Sequence, residues 1–231
     1  MKSRTALAFL TILFVLFLDQ WLKIWVKTHM VLGDSITITD WFQIYFTENK
    51  GMAFGMEIGG KGTYWGKLFL SLFRVVACVL LGIYIYRLIQ RKDRPLLIFS
   101  IAMVWAGAFG NIIDSLFYGL LFSDSYHTVA TFMPEDGGYA GFLHGHVVDM
   151  LYFPLIEGTF PDWLPVWGGQ PFIFFRPIFN LADAAISIGV ILLIIKQKTF
   201  FGQKSKVDEN VAEEVVTPEE PENPAPVISN D

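Results

Sequence analysis

The sequence predicts a membrane-embedded all-α bundle of four transmembrane helices with a small extracytoplasmic β-sheet. Three observations predict it. The chain is 53% hydrophobic and only 17% charged, where a soluble domain carries about 25% charged residues. Its apolar residues are gathered into long uninterrupted runs, which signals bilayer insertion rather than a larger soluble core. Basic residues cluster in the short connection after the second run, with one in the long connection 117–177, while the first loop carries Lys27, Lys50, Lys61 and Lys67.

The first span covers roughly residues 6–26, with Asp19 and Lys23 as its only charges. Lys2 and Arg4 precede it, but no small-x-small cleavage site follows, so a retained span is expected rather than a cleaved leader. The connection after it alternates with period two in Ser35-Ile36-Thr37-Ile38-Thr39 and again from Trp41 to Phe46. Such β-branched and aromatic alternation predicts a small sheet lying on the membrane. The second span covers roughly residues 68–88 and is broken only by Arg74 before Arg87 at its end. A third begins after Pro95 and continues to about Leu116, and a fourth runs from Pro177 to about Ile195. Each is long enough to cross about 30 Å of hydrocarbon at about 1.5 Å per residue.

Arg87, Arg91, Lys92 and Arg94 lie between spans two and three, whereas the connection 117–177 holds Arg176 alone. The positive-inside rule then puts both termini in the cytoplasm and both long loops outside it. The second long loop, rich in Gly, Pro, Trp and Phe, is expected to be partly interfacial. From Lys204 onward the chain carries eight acids against two lysines, with no helical period. That composition predicts a disordered acidic cytoplasmic tail over 202–231, after a membrane-embedded domain over 1–201.

Without that tail the chain is nearly neutral, so no basic face exists for nucleic acid. Cys78 is the single cysteine, which excludes an intramolecular disulfide. The membrane domain leaves no room for a separate soluble enzyme, so any chemistry must sit in or beside the bilayer.

Ionisable residues inside a span are costly unless paired or solvated. Asp19 and Lys23 stand four residues apart, which puts them on one helix face as a structural ion pair. The third span ends in Gly107-Ala108-Phe109-Gly110-Asn111-Ile112-Ile113-Asp114, with Asn111 and Asp114 on one face and two glycines that allow close helix approach. The fourth opens with Asn180 and Asp183, repeating the same spacing. Between them Asp149 is embedded in the short hydrophobic segment 146–150. Several carboxylates should therefore meet at one end of the bundle. Two aspartates close together can share a proton, one activating water and the other donating to a carbonyl oxygen. Helix capping by Asp114 and Asp183 is the structural alternative, and an ion pathway of a small ion-coupled transporter is the functional one.

The order of these motifs resembles that of the lipoprotein signal peptidase (signal peptidase II) family. Asp19-Gln20-Trp21-Leu22-Lys23 is similar to its Asp-Gln-x-x-Lys box, and Asn49 to Gly55 to its Asn-x-Gly-x-Ala-Phe box. Gly107 to Asp114, Val147-Val148-Asp149 and Phe179 to Asp183 resemble its three remaining boxes, in order. The resemblance implies an aspartyl endopeptidase of the bacterial cytoplasmic membrane. It would cleave prolipoproteins just before a diacylglyceryl-modified cysteine, without metal or cofactor, among membrane lipids and as a monomer. It implies Asp149 and Asp183 as the catalytic pair, with the site near the extracytoplasmic face. Asn111 and Asn180 would orient the site and substrate, Asn49 and Gly51 would lie in the sheet that cradles substrate, and Asp19 and Lys23 would support the site. Asp114 remains the competitor for the first catalytic position.

The sequence departs from the family pattern in two places. Ser115 stands where the family has arginine, and the connections from Asn111 to Asp149 and from Asp149 to Asp183 are long, as if residues 123–145 were inserted. Arg74 and Arg176 are the arginines that could supply a substitute cation. The transporter alternative would place its acids near the bilayer midplane, often in repeated halves, and no repeat is present.

Overall fold

The computed structural model describes residues 2–49, 64–174 and 176–201. Gly51, the rest of its box after Asn49, and the acidic tail lie outside the described residues. The chain divides into two units, Met1–Leu192 and Leu193–Asp231. The sheet and the site belong to the first. In the second, the described residues finish α5 and form a short helix α6, Gln197–Phe201.

Helix α1, Lys2–His29, is the first span, extended by a turn at its far end. Its Phe9, Leu10, Leu13, Phe14, Phe17 and Trp21 are exposed, while Thr11, Val15, Asp19, Lys23, Val26 and Lys27 are buried. A 3.6-residue period therefore separates an apolar outer surface from a face that carries the charges inward, the reverse of a soluble helix. After β1, Ser35–Thr39, and β2, Phe42–Asn49, come α2, Tyr64–Gln90, and α3, Pro95–Ile113. Pro95 opens α3, where a missing N–H costs nothing. Helix α3 passes into a π-helical turn, Asp114–Tyr118, and a last short helix α4, Gly119–Leu121.

Among the described residues, three stretches are long and apolar enough to cross a bilayer: Lys2–His29, Leu68–Gln90 and Pro95–Leu121. Helix α5, Leu181–Ile195, is apolar but has only 15 residues, or about 22 Å. The sequence places the start of this element after Pro177. Instead Ile178–Phe179 form a short strand, β6, because β3 offers an open edge at Leu151 and Tyr152. Asn180 then begins the helix: its Oδ1 accepts the Asp183 N–H at 2.9 Å, and the Asp183 carboxylate faces the Asn180 N–H at 3.5 Å. This reciprocal arrangement is a capping box.

The alternating segments form the expected antiparallel sheet, joined by two later strands in the order β1-β2-β3-β6, where β3 is Val147–Tyr152. A separate hairpin, β4 (Ile156–Thr159) with β5 (Pro171–Phe174), fills the connection between β3 and β6. Trp163, Val166 and Trp167 are exposed at its tip. The sheet packs on the bundle through Val26 of α1, Met30 just after it, Phe46 of β2, Tyr118, Phe122, and Val148 and Met150 of β3.

The two glycines of the third span do what their spacing suggests. A Cβ on Gly107 would collide with the Ala182 carbonyl oxygen, and one on Gly110 would come within 2.7 Å of Asp19 Oδ2. Helix α3 thus meets the backbone of α5 directly, and the Asp19 side chain of α1 lies against it.

Candidate active site

The buried face of α1 brings Asp19 and Lys23 against the end of α3. Lys23 is fully buried, and its ammonium lies 3.0 Å from Asp19 Oδ2 and 2.8 Å from Asp114 Oδ2. It also donates to Asn111 Oδ1 at 2.9 Å. All three ammonium protons are thereby used. The local pair read from the sequence exists, and Asp114 completes it. Asp19 is further held by the Ala182 N–H at 2.9 Å, a donor in the first turn of α5.

Asp114 is fully buried and surrounded by donors. Gln20 Nε2 reaches Asp114 Oδ1 at 3.0 Å, Asp19 Oδ2 at 3.1 Å and the Gly110 carbonyl at 3.2 Å. The Val148 N–H donates to Asp114 Oδ2 at 3.2 Å. The π-helical turn keeps Asp114 and Tyr118 both on Gln20, whose Oε1 accepts from the Tyr118 hydroxyl at 3.2 Å. Such turns recur at functional sites because they re-aim side chains without ending the helix. Gln20 is a site residue that the sequence reading passed over, although it sits inside a recognised box.

From Lys23 the network runs on through asparagines. Asn111 donates to Asp183 Oδ1 at 2.8 Å, and its own Oδ1 accepts from Asn180 at 3.1 Å. Asn180 is buried and donates to Asp149 Oδ1 at 2.7 Å. Two amides therefore bridge the two carboxylates from one side. Asn49, at the end of β2, also hydrogen bonds Asp149. Strand register accounts for this: Thr47 stands opposite Asp149 and Asn49 opposite Val147, so all four share one face.

Burial and then the negative charge of Asp183 push the Asp149 carboxyl up to about 7, against the pull of Lys23 and the hydrogen bonds of Asn180 and Asn49. Asp149 is thus poised to hold a proton at neutral pH beside a second carboxylate. Asp114 differs in kind, because its partners are the buried ammonium, an amide and a backbone N–H.

Ser115 brings no charge to the site: its hydroxyl donates to the Asn111 carbonyl at 3.1 Å, and its own carbonyl accepts the Gly145 N–H. Arg74, half-buried on α2, lies within Coulombic reach of Asp183, Asp114 and Asp149, in decreasing order. The face that carries it is tied inward, since Ser71 Oγ donates to the Leu143 carbonyl and Trp105 Nε1 to the Cys78 carbonyl, each at 2.9 Å. Arg176 is exposed.

Known proteins resemble this chain in sequence and in fold. The family model for signal peptidase (SPase) II matches residues 11–199, which include every candidate residue. The lipoprotein signal peptidase of Porphyromonas gingivalis is 53% identical over 188 residues, covering 80% of this chain and 79% of that protein. That of Amoebophilus asiaticus is 34% identical over 190 residues, covering 80% and 75%. A solved bacterial membrane enzyme superposes with a TM-score of 0.53 at 24% identity, covering 83% of this chain and 88% of that one. The likeness to it concerns the fold alone. The match over nearly the whole helical and sheet region, with relatives at this identity, places the chain in the signal peptidase II family.

Proposed function

We propose that this membrane peptidase removes signal peptides from prolipoproteins by an aspartyl mechanism in which Asp149 and Asp183 share one proton. The family and its relatives supply the reaction: the chain is a lipoprotein signal peptidase. The observation that carries the mechanism is the Asp149 carboxyl, raised to about 7 by burial and by Asp183. In the resting pair Asp149 keeps the proton and Asp183 the charge. Asp183 takes a proton from water as the oxygen attacks the peptide carbonyl, and Asp149 donates to the developing oxyanion. The roles reverse as the tetrahedral intermediate collapses and the leaving amine is protonated. Asn111 and Asn180 fix the rotamers of both carboxylates, and Asn49 holds Asp149 from the strand. Asp114, Asp19 and Lys23 form the scaffold behind them, since every strong partner of Asp114 is already committed.

The substrate would be a prolipoprotein bearing diacylglyceryl-modified cysteine, entering from the lipid along the apolar helices. Gly51 belongs to this reading through the resemblance. The enzyme works as a monomer without cofactor, with α5 as the fourth span. Both termini then lie in the cytoplasm and the site near the extracytoplasmic face. The hairpin tip at Trp163 and Trp167 suits the headgroup region, where aromatic rings settle. The buried, ion-paired acids also argue against an ion pathway. Single cysteines at Gly137 and at Gln90, in a background lacking Cys78, test the orientation with an impermeant thiol reagent on intact cells. Labelling is expected at residue 137 and not at 90, and the reverse pattern would invert the topology.

Arg74 takes the part of the cation that Ser115 does not supply. Its carboxylate neighbours include both members of the pair, and a guanidinium can hold a carboxylate or a peptide carbonyl in a fixed plane. Arg74→Gln should lower the cleavage rate by roughly a hundredfold, and Ser115→Arg added to it should recover part of the loss. Full activity in Arg74→Gln alone would remove Arg74 from the site.

A further inference from the structure

A second charged cluster lies on the other side of the strands that present Asp149. Lys27, one helical turn beyond Lys23, is fully buried. Its ammonium pairs with Glu48 Oε1, donates to Ser125 Oγ at 2.9 Å, and lies 4.8 Å from the centre of the Tyr139 ring. Glu48 Oε2 lies 2.9 Å from His146 Nδ1. Because an ionised carboxylate only accepts, that nitrogen is the donor. Burial pushes the Glu48 carboxyl up, but the His146 hydrogen bond and the Lys27 charge outweigh it and hold it near 2. The Tyr139 hydroxyl in turn accepts the His146 N–H at 2.6 Å.

Register decides what this cluster acts on. Glu48 pairs with Val148 on the face opposite Thr47, Asn49 and Asp149. His146 is the residue immediately before β3, and Asp149 is three residues further on. Ser125 and Tyr139 belong to the long connection 123–145. Glu48 therefore joins four pieces of the chain: α1 through Lys27, that connection through the same ammonium, its own strand β2, and the entry to β3 through His146. Across the strand pair, the front face of the same residues carries Asp149 and its partner Asn49.

We propose that Glu48, clamped between Lys27 and His146, is a positioning residue that sets β2 against β3 and so holds Asp149 at its distance from Asn49 and Asp183. This rests on the aspartyl reading of the site. It gives the connection 123–145 a task, which is to close this clamp through Ser125 and Tyr139. Loss of the clamp would let β3 move away from its neighbours while the rest of the bundle, held by Lys23, stays assembled. Asp149 would then feel less of Asp183 and more solvent, so its proton would be lost at lower pH.

The test uses the full chain, purified in lipid nanodiscs, with a diacylglyceryl-modified prolipoprotein as substrate. Glu48→Gln is expected to lower kcat by about tenfold or more with KM within about threefold, and to move the alkaline limb of the pH–kcat profile to lower pH. His146→Phe should do the same, whereas His146→Gln, which keeps an N–H for Glu48, should retain most of the activity. Lys27→Met combined with Glu48→Gln removes the buried charges together and should remain slow. Unchanged kcat and limb in Glu48→Gln and His146→Phe, or full recovery in the double variant, overturns the proposal. If Glu48→Gln does not fold, the two His146 variants decide it, since equal rates for Phe and Gln contradict the clamp. Wild type and Asp149→Asn are run in parallel. An active Asp149→Asn defeats the aspartyl reading itself, whereas an inactive one beside a normal Glu48→Gln defeats only this inference.

Discussion

Asp149→Asn protein is expected to cleave prolipoprotein at least about a thousandfold more slowly than wild type while remaining folded. The substitution keeps an oxygen to accept from Asn180, whose amide lies 2.7 Å from Asp149 Oδ1, so the local packing survives. What it removes is the shared proton. Asp183→Asn should be as damaging, because it leaves no carboxylate to draw a proton from water. Since the two act as a unit, the double variant should be little slower than either single one. The same pair fixes the pH profile. Asp149 holds its proton up to about 7, so kcat should fall as pH rises through that region and both carboxylates become charged. That value belongs to the pair rather than to one residue. Cleavage assays of the three variants, with a pH series on wild type, are the measurement. Normal cleavage by Asp149→Asn, beside loss in Asp114→Asn, would transfer the role to Asp114.

How much of this was legible in the sequence depends on how local each signal is. The long helices were, because apolar runs broken by single charges fit only spans. The β1–β2 pair was, because its alternation has period two. The start of α5 was not: Ile178 and Phe179 continue an apolar run that fits either period, and a free edge on β3 captured them. The Asp19–Lys23 pair is a local spacing and could be read directly. That Asp114 joins it could not, since the π-helical turn sets the direction of that side chain. The aspartates separate by environment rather than by neighbours in sequence: Asp114 meets an ammonium, Asp149 meets another carboxylate. Lys27 carried a readable hint, four residues beyond Lys23 on the same face. Its partners Glu48 and Ser125 are 21 and 98 residues away, and no spacing rule reaches that far.

Lys23→Met should have the largest effect on stability. The methionine fills the space of the side chain but removes the only cation touching Asp19 and Asp114 at 3.0 and 2.8 Å among the described residues. Both carboxylates are at most 1% exposed, so water cannot take over. Removing one partner from a buried ion pair costs about 3–5 kcal/mol, and here two acids are left facing each other across Gln20. The loss also reaches the site, because Asn111 gives up its 2.9 Å bond to the ammonium and is free to turn from Asp183. Lys23→Arg should be an incomplete substitute, since a planar guanidinium cannot direct three protons along the diverging lines that Asp19, Asp114 and Asn111 require. Adding Asp19→Asn and Asp114→Asn to Lys23→Met removes the stranded charges. Much of the stability should then return, but less of the activity, because Asn111 stays unanchored. Thermal unfolding of the purified variants in one detergent separates these cases. A Lys23→Met protein melting within about 3 °C of wild type would correspond to less than about 1–1.5 kcal/mol in a chain of this size, and the buried network would then have no part in holding the bundle together.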